Sequence, residues 1–450
     1  MSTVNNGPVI TKNSLVLNLD ASARRSFLPN SIINMDAWTV SSGSVAGYNQ
    51  NGPTDENQRT ATTNPWGDTD VIWGSYPNGS GDADGGWSTN GFNIDRTKLY
   101  RFSVWMKRTS STTGGTAYLG GTAWDASQYL KRTVDSVDEP NPYWYYNNIS
   151  SFTQNVWYLV VGHLYPYNTT YTGRHPDSGL YNAGSAVKVA DIGGNTVGGD
   201  FKFSSTSTYA YHRVFHYYCG DNTSRLQFYD PRVDLVDGKE PSITELVNYS
   251  PARWRNLASN SINFSISSKP TYSTTAKGLF NFNGSSTFFT SPENSSFNTE
   301  TFTIECWART SSVNQNGFFF EKGTVNSQYA IFLENPNIKI RTNTAFSGLA
   351  DLQFTAASYI QANVWFLVTA SYNNGLKSFY INGVLLGTQT VTGGFTTNAN
   401  GMSIGVYGGQ TGGRGYYFNG DIANLRFYNR VLTNAEVSQN YQATKSRFGL

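Results

Sequence analysis

The chain has 450 residues, of which 14% are charged and 15% aromatic, and its formal net charge is +2. Lysine and arginine are spread along the sequence without a basic tract or an acidic tail, so no long-range field favours nucleic acid as a partner. The richness in Tyr, Gly, Ser, Thr and Asn favours pleated strands and tight turns over long helices.

The N-terminal residues lack the basic start and apolar run of a signal peptide, and no segment approaches the ~18 apolar residues of a membrane-spanning helix. We therefore expect synthesis in the cytoplasm, no standard secretory export and no membrane insertion. A chain of this length fits two domains. Cys219 and Cys306 lie in strand-like runs and are expected to be free, buried thiols rather than a disulfide.

Three strand-like landmarks occur in the same order in both halves of the chain. The first ends on a tryptophan followed by a basic residue, the second begins Asn-Val-Trp, and the third contains a Phe-Tyr pair. The landmarks are residues 100–108 and 302–309, residues 155–165 and 363–372, and residues 226–233 and 425–431. Their order indicates two copies of one architectural plan.

Local signals between the landmarks are typical of an all-β chain. Asn382-Gly383 has the residue types of a type I′ hairpin turn between two short strands. Each third landmark is followed by a capping box, Ser242 with Glu245 and Thr433 with Glu436, which predicts a short helix. We predict an all-β protein of two antiparallel β-sandwich (jelly-roll) modules with few short helices.

One glycine-rich stretch has the composition of a calcium loop. Residues 81–87 place Asp82 and Asp84 two positions apart between glycines, and calcium prefers such hard oxygen ligands. A solvated turn explains the same residues. His212 and His216 lie four apart but lack a third ligand, so packed or surface histidines are favoured over a zinc site. No cofactor is required, and calcium is the ion that the sequence could accommodate.

Several aromatic residues lie in Gly-, Asn- and Asp-rich surroundings, where an exposed ring could cover the C–H face of a sugar. These candidates for carbohydrate binding are Trp66, Trp73, Trp87, Trp124, Tyr143, Trp144 and Tyr145. The same rings could instead pack against a neighbouring subunit. The tryptophans in strand-like runs are assigned to the core; they are Trp105, Trp157, Trp307 and Trp365.

The segment from about residue 261 to the C-terminus resembles a laminin G-like jelly roll of the concanavalin A-like group. The stretches that carry this resemblance are residues 278–284, 302–309, 365–368, 379–384 and 418–432. Glucanases of this group pair their carboxylates in a Glu-x-Asp-x-x-Glu pattern, which is missing here. Glu305 could point out of the sheet, but it has no partner. The resemblance therefore implies a non-catalytic protein.

The first strand of such a domain often ends in Leu-Asp-Ala, and here that element, residues 15–21, lies far from its continuation, residues 254–258. We therefore predict that residues 1–29 are an N-terminal strand belonging to the C-terminal sandwich. Residues 30–250 would be an inserted jelly roll that resembles carbohydrate-binding modules, and residues 251–450 the laminin G-like domain. Alternatively, the N-terminal strand belongs to an attachment arm.

The opening Leu-Asp-Ala element and the closing residues 441–450 look like laminin G-like proteins of tailed-phage virions. This resemblance implies a structural and interaction protein of a virion (fibre, tail or capsid decoration) that contacts other virion proteins, forms a homo-oligomer and could adhere to host-surface glycans. The alternative is a secreted or cell-surface lectin-like protein, and a glycan hydrolase is the third hypothesis.

Overall fold

The computed structural model describes residues 9–23, 27–28, 31–123, 129–192, 199–251, 253–258, 262–268, 270–323, 327–345, 347–395, 399–408 and 414–450. Contacts between Cα atoms divide the chain into two compact units. Unit 1 comprises residues 1–27 and 252–450, and unit 2 comprises residues 28–251. No helix among the described residues is long and apolar enough to span a membrane.

Unit 1 begins with strand β1, Leu15–Asp20, in which alternate leucines are buried. Unit 2 then contains strands β2 (Ser41–Ser42), β3 (Tyr48–Gln50), β4 (Asn57–Thr63), β5 (Thr69–Ser75), β6 (Ala83–Thr89), β7 (Phe92–Asn93), β8 (Tyr100–Arg108), β9 (Thr116–Thr122), β10 (Leu130–Arg132), β11 (Asp138–Glu139), β12 (Tyr143–Asn148), β13 (Tyr158–Tyr165), β14 (Gly179–Asn182), β15 (Lys188–Ala190), β16 (Phe201–Lys202), β17 (Tyr209–Tyr217) and β18 (Leu226–Leu235), the 3-10 turn Ile149–Ser151 and helix α1 (Ile243–Asn248).

The rest of unit 1 is again mostly strands. They are β19 (Arg253–Arg255), β20 (Asn263–Ser268), β21 (Thr271–Ser273), β22 (Leu279–Asn283), β23 (Phe288–Thr290), β24 (Thr301–Thr310), β25 (Gly317–Lys322), β26 (Tyr329–Glu334), β27 (Asn337–Thr344), β28 (Gly348–Thr355), β29 (Trp365–Asn373), β30 (Leu376–Ile381), β31 (Val384–Thr390), β32 (Met402–Ile404) and β33 (Asn419–Tyr428), with helix α2 (Asn434–Thr444) and the 3-10 turns Thr275–Lys277, Ser295–Phe297, Ala356–Ser358 and Lys445–Phe448.

Each unit contains two sheets. In unit 2 the larger sheet has the order β11-β10-β16-β13-β8-β18-β5-β4-β2 with β14 and β15 attached at β13, and the smaller has the order β12-β9-β17-β6-β3 with β7 attached at β17. In unit 1 the sheets are β21-β22-β33-β24-β29-β30-β31, with β1 paired to β33, and β19-β20-β23-β32-β25-β26-β27-β28. The predicted all-β sandwich class is confirmed. One short pairing, β13 with β16, is parallel.

The three sequence landmarks form equivalent strands. They lie side by side as β13-β8-β18 in unit 2 and as β29-β24-β33 in unit 1. The four tryptophans assigned to the core are buried there, since none is more than 7% exposed. Both capping boxes are present at the starts of α1 and α2. Asn382 and Gly383 both have positive φ angles between β30 and β31, as the predicted turn requires.

The N-terminal strand β1 pairs antiparallel with β33, with Leu17 opposite Phe427 and Leu19 opposite Leu425. The side chain of Asn256 supports this pairing, because it accepts a hydrogen bond from the Asn18 amide and donates one to the Val16 carbonyl. These contacts make β1 part of the sheet of unit 1 that contains β24 and β29.

Candidate functional site

A tyrosine-lined pocket lies on the smaller sheet of unit 2. Its volume is about 340 Å³, and its lining residues are Tyr118, Asn141, Tyr143, Tyr146, Tyr217 and Tyr218. On β9, Ala117 and Leu119 belong to the hydrophobic core, so Tyr118 between them faces away from it. We call the surface that these six lining residues form the tyrosine face. It is the outer surface of the sheet, opposite the core.

Strand register places the rings of the tyrosine face. Tyr146 on β12 is the register partner of Tyr118, and Tyr143 is the partner of Gly120, with a register shift between Tyr143 and Tyr145. A Cβ atom at Gly120 would lie 2.4 Å from Cδ1 of Tyr143. The glycine therefore lets the Tyr143 ring lie against the sheet.

The rings form a continuous aromatic surface around Tyr118. Tyr146 stacks on Tyr118 with a centroid separation of 5.0 Å and an interplanar angle of 17°. Tyr143 and Tyr217 meet the same ring edge-on at 4.7 and 5.8 Å. Tyr146 and Tyr218 are 47% and 64% exposed. The exposed part of this flat aromatic surface is therefore already ordered by its own packing.

Three phenol groups of this surface, those of Tyr118, Tyr143 and Tyr217, stay protonated at neutral pH. Burial raises the pKa of Tyr118 and of Tyr143, where Arg213 partly opposes the rise. Burial also raises the pKa of Tyr217, whose hydroxyl donates to Oδ1 of Asn51 at 2.9 Å. The tyrosine face therefore combines apolar rings with phenol hydroxyl groups at their edges, and a protonated phenol can both donate and accept hydrogen bonds.

Most of the aromatic residues predicted from sequence lie elsewhere. Trp73, Trp87, Trp144 and Tyr145 are fully buried, and a ring inside the core cannot stack on a sugar. Trp144 Nε1 donates to the His163 carbonyl at 3.0 Å. The predicted exposure of these four residues is therefore wrong.

Three predicted residues remain. Trp66 is half-buried, and its Nε1 donates to the Val247 carbonyl at 3.1 Å. Trp124 lies outside the described residues. Tyr143 is half-buried and lines the pocket. A sugar-binding role for these three residues stays a prediction.

Sequence reasoning missed Tyr118, Tyr146, Tyr217 and Tyr218. A usable signal was present, because the alternation along β9 and β17 assigns Tyr118 and Tyr217 to the face opposite their buried neighbours. The register that brings β12 beside β9 could not be deduced from the separate strands.

The two carboxylates singled out in the glycine-rich stretch do lie together, and a third joins them. Ligand oxygens of Glu56, Asp82 and Asp84 all lie within 4.8 Å of one another. Glu56 and Asp84 are fully buried, and Asp82 is exposed. Glu56 immediately precedes β4, far from the other two in sequence, so only the folded sheet reveals it.

The two histidines next to this region are packed into the protein. Nε2 of His212 lies 3.1 Å from the Ser103 carbonyl, while Nδ1 of His216 lies 2.8 Å from Oγ of Ser75. Burial lowers the pKa of both imidazoles to about 4. Both are therefore neutral at physiological pH, as expected for packed histidines.

In unit 1, Glu305 lies on the face of its sheet opposite the core residues Ile304 and Cys306, as expected, but helix α2 covers it. Its side chain is fully buried, pairs with Arg426 at 3.3 Å and accepts hydrogen bonds from Nδ2 of Asn440 at 3.0 and 3.1 Å. A carboxylate held in this way cannot reach a substrate outside the sandwich. Cys306 beside it and Cys219 in unit 2 are free, buried thiols.

Comparison with known proteins agrees with this architecture. A family model described as the concanavalin A-like lectin/glucanases superfamily, laminin G type, matches residues 283–438. No curated protein sequence is significantly similar to the chain.

Two similar solved structures are the receptor-binding domain of botulinum neurotoxin type G and the binding domain of paraclostridial mosquitocidal protein 1. The first is 17% identical over 42% of this chain and 48% of its own, with a TM-score of 0.35. The second is 19% identical over 43% and 50%, with a TM-score of 0.37. This chain spans about half the length of each. At these values the likeness carries no conclusion about the fold or the ligands of this chain. The matched residues lie in unit 1, which is therefore the part of the chain that is similar to concanavalin A-like lectin/laminin G domains.

Proposed function

We propose that the protein is a non-catalytic carbohydrate-binding protein and that the tyrosine face of unit 2 holds the glycan. The pocket with its exposed rings is the observation that carries this proposal. Its volume falls at the lower end of the ~300–1,000 Å³ typical of small-ligand sites, which suits one or two sugar rings.

The chemistry of the tyrosine face matches that of a pyranose. The exposed rings of Tyr146 and Tyr218 offer flat apolar surface to the C–H groups of a sugar. Phenol hydroxyls and the Asn141 amide at the rim of the pocket supply hydrogen-bonding groups for sugar hydroxyls. No charged group is needed to bind a neutral glycan in this way.

Glycan-array screening of the whole protein, followed by calorimetric titration with the best ligand, tests this proposal. Tyr146→Ala should weaken binding about fivefold or more, because stacking on one aromatic ring contributes ~1 kcal/mol. Tyr209→Ala is the matched control, since Tyr209 is also 47% exposed and lies outside the pocket lining. Equal affinity of both variants for a glycan, or no glycan bound by the wild type, would contradict the proposal.

A subunit contact is the competing use of the same rings. Mass photometry of the Tyr146→Ala and Tyr218→Ala variants separates the two uses. Glycan binding predicts an unchanged oligomeric state with reduced sugar affinity. Dissociation of an oligomer, with sugar affinity retained, would assign the tyrosine face to assembly.

We further propose that the protein is a component of a virion. This proposal is supported by the Leu-Asp-Ala element of residues 15–21 and the closing residues 441–450. Immunogold labelling of virions from the source should place the chain on particles as a fibre, tail or decoration component. A protein found only free or on cell surfaces would favour the lectin-like alternative.

A further inference from the structure

The carboxylate cluster of unit 2 is built from two buried groups and one exposed group. Glu56 precedes β4, Asp84 lies on β6, and Asp82 lies just before β6. Ligand oxygens of the three residues lie within 4.8 Å of one another, and Glu56 and Asp84 are both 0% exposed. Three negative groups are thus concentrated at one point where water reaches only Asp82.

Each buried carboxylate has one satisfied oxygen and one without a partner. Oε1 of Glu56 accepts from the Asn78 amide at 2.8 Å, and Oδ2 of Asp84 accepts from the Cys219 amide at 2.8 Å. Oε2 of Glu56 and Oδ1 of Asp84 are buried and have no hydrogen-bond partner. A buried carboxylate oxygen without a hydrogen-bond partner costs free energy, because it has lost its water and gained nothing in return. A positively charged ligand between these two atoms would remove that cost.

The described part of the chain supplies no such ligand. None of its ion pairs includes Glu56, Asp82 or Asp84. Burial raises the pKa of Glu56 and raises that of Asp84 to about 6, and the nearby charge of Asp82 raises both further. Glu56 also raises the pKa of Asp84. Protein groups alone therefore stabilise these charges poorly.

Neighbouring backbone keeps this space open for a small ion. Gly52 has a positive φ of 81°, and a Cβ atom there would lie 2.0 Å from the Ala83 carbonyl and 3.1 Å from Oε2 of Glu56. Any larger residue at position 52 would push into the cluster. The three candidate ligand atoms are all carboxylate oxygens. The nearby thiol of Cys219 is not among them, and it donates to the Asp221 carbonyl at 3.2 Å.

We propose that Glu56, Asp82 and Asp84 form a binding site for a hard divalent cation, namely Ca²⁺. Three oxygens that lie within 4.8 Å of one another can surround a calcium ion, for which the Ca–O distance is ~2.4 Å. Magnesium loses its water ligands reluctantly, so a site in which two of the three carboxylates are fully buried suits calcium better. The exposed Asp82 provides the entry, and water completes the coordination.

A bound ion would also fix one edge of the tyrosine face. The Asp82 carbonyl accepts from the Tyr218 amide at 2.9 Å, and the Asp84 carboxylate accepts from the Cys219 amide. Tyr218 and Cys219 follow directly after the end of β17, which carries Tyr217. Metal binding and the position of the Tyr218 ring are therefore linked through a single short segment.

The test uses the whole chain after removal of metal with a chelator, and its probes are CaCl₂ and MgCl₂. Equilibrium dialysis should find one Ca²⁺ per chain, and Ca²⁺ should raise the melting temperature more than Mg²⁺ does. Asp82→Asn should weaken Ca²⁺ binding at least tenfold while the protein stays folded, because Asp82 is exposed. Glu56→Gln should abolish the calcium-dependent rise in melting temperature.

Asp55→Asn is the matched control. It removes one exposed acidic charge next to Glu56 without touching the cluster, so Ca²⁺ binding should be unchanged. No stoichiometric binding at millimolar Ca²⁺, or equal loss in Asp55→Asn and Asp82→Asn, would overturn the proposal. Neither result depends on whether a glycan binds.

Discussion

Buried carboxylates behave differently in the two units. In unit 1, Glu305 is enclosed by Arg426 and Asn440, which satisfy its charge and hydrogen bonds. In unit 2, Glu56 and Asp84 are equally buried, yet each keeps one oxygen without a partner. Among the described residues of unit 1, no buried carboxylate oxygen is left in that state. The same residue type is thus internally paired in one unit and has an oxygen without a hydrogen-bond partner in the other.

This difference shows how a site can be separated from a scaffold when the sequence offers only acidic residues. Burial alone does not distinguish them, because Glu305 and Glu56 are both fully buried. A buried carboxylate whose oxygens all have partners within the chain supports the fold. A buried carboxylate oxygen without a hydrogen-bond partner points to a ligand that the chain does not supply.

The largest expected effect comes from breaking the paired carboxylate of unit 1. Arg426→Leu leaves the Glu305 charge buried beside an apolar side chain and should lower the free energy of unfolding by about 3–5 kcal/mol. The double variant Glu305→Leu/Arg426→Leu should recover most of that loss. Denaturant unfolding measures both. As a control, Lys239→Met removes an exposed pair with Asp237 and should cost about 1 kcal/mol or less. A similar small cost for Arg426→Leu would contradict the comparison.

A pH effect of intermediate size is expected in unit 1 from Glu321. Burial raises its pKa from 4.5 to about 7, although the Ser327 hydroxyl and the Gly408 amide donate to it. The pKa of Glu321 is therefore higher in the folded than in the unfolded state. The contribution of its protonated form to the free energy of unfolding is fully present below pH 4.5 and is lost as the pH rises through 7. The change amounts to about 3 kcal/mol.

Hydrogen exchange of the β25 and β26 amides between pH 5 and 8, corrected for intrinsic exchange rates, measures this slope. Glu321→Gln keeps a neutral side chain at this position at every pH, so the pH slope of its stability should be flat. Histidine titration does not interfere, since all four histidines of the chain lie in unit 2. An unchanged slope in the variant would assign the pH dependence to another group.

The smallest effects should come from the equivalent helix caps of the two units. Ser242→Ala and Thr433→Ala each remove a hydroxyl that accepts from the third helical amide, and each should cost ~1 kcal/mol. Helix-amide exchange in each variant measures the loss. Thr244→Ala, which removes an exposed hydroxyl inside α1, should cost nothing. Unequal losses would mean that the additional pairing of Arg430 with Glu436 supports α2 beyond its cap.

Sequence patterns predicted the scaffold better than the site because the scaffold depends on local rules. The tryptophan-bearing strands, the capping boxes and the Asn382–Gly383 turn each follow from a few neighbouring residues. The order of the landmarks then predicts which strands correspond in the two units. None of these features requires knowledge of what lies across the sheet.

The glycine-rich stretches misled the prediction for a specific physical reason. Glycines beside Trp87 were interpreted as loop residues, but a Cβ atom at Gly86 would lie 2.0 Å from the Val214 carbonyl. On β13, which was predicted as a strand, a Cβ atom at Gly162 would lie 2.2 Å from the ring of Trp144. These glycines permit close packing over large rings inside the sandwich. In a single sequence, such packing cannot be told from a turn.

Strand β1 comes from a chain segment distant in sequence, and its pairing with β33 adds a strand to the sheet of unit 1. In sequence, unit 2 separates the two chain segments of unit 1, so a protease cut at the first junction would leave β1 held by noncovalent contacts alone. These include its sheet hydrogen bonds, the hydrogen bonds of Asn256, the buried leucines and the ion pair of Asp20 with Arg447. A nicked chain should then run as two fragments under denaturing conditions and as one species under native conditions. The N-terminal segment would act as a donor strand, exchangeable for a synthetic peptide of the same sequence.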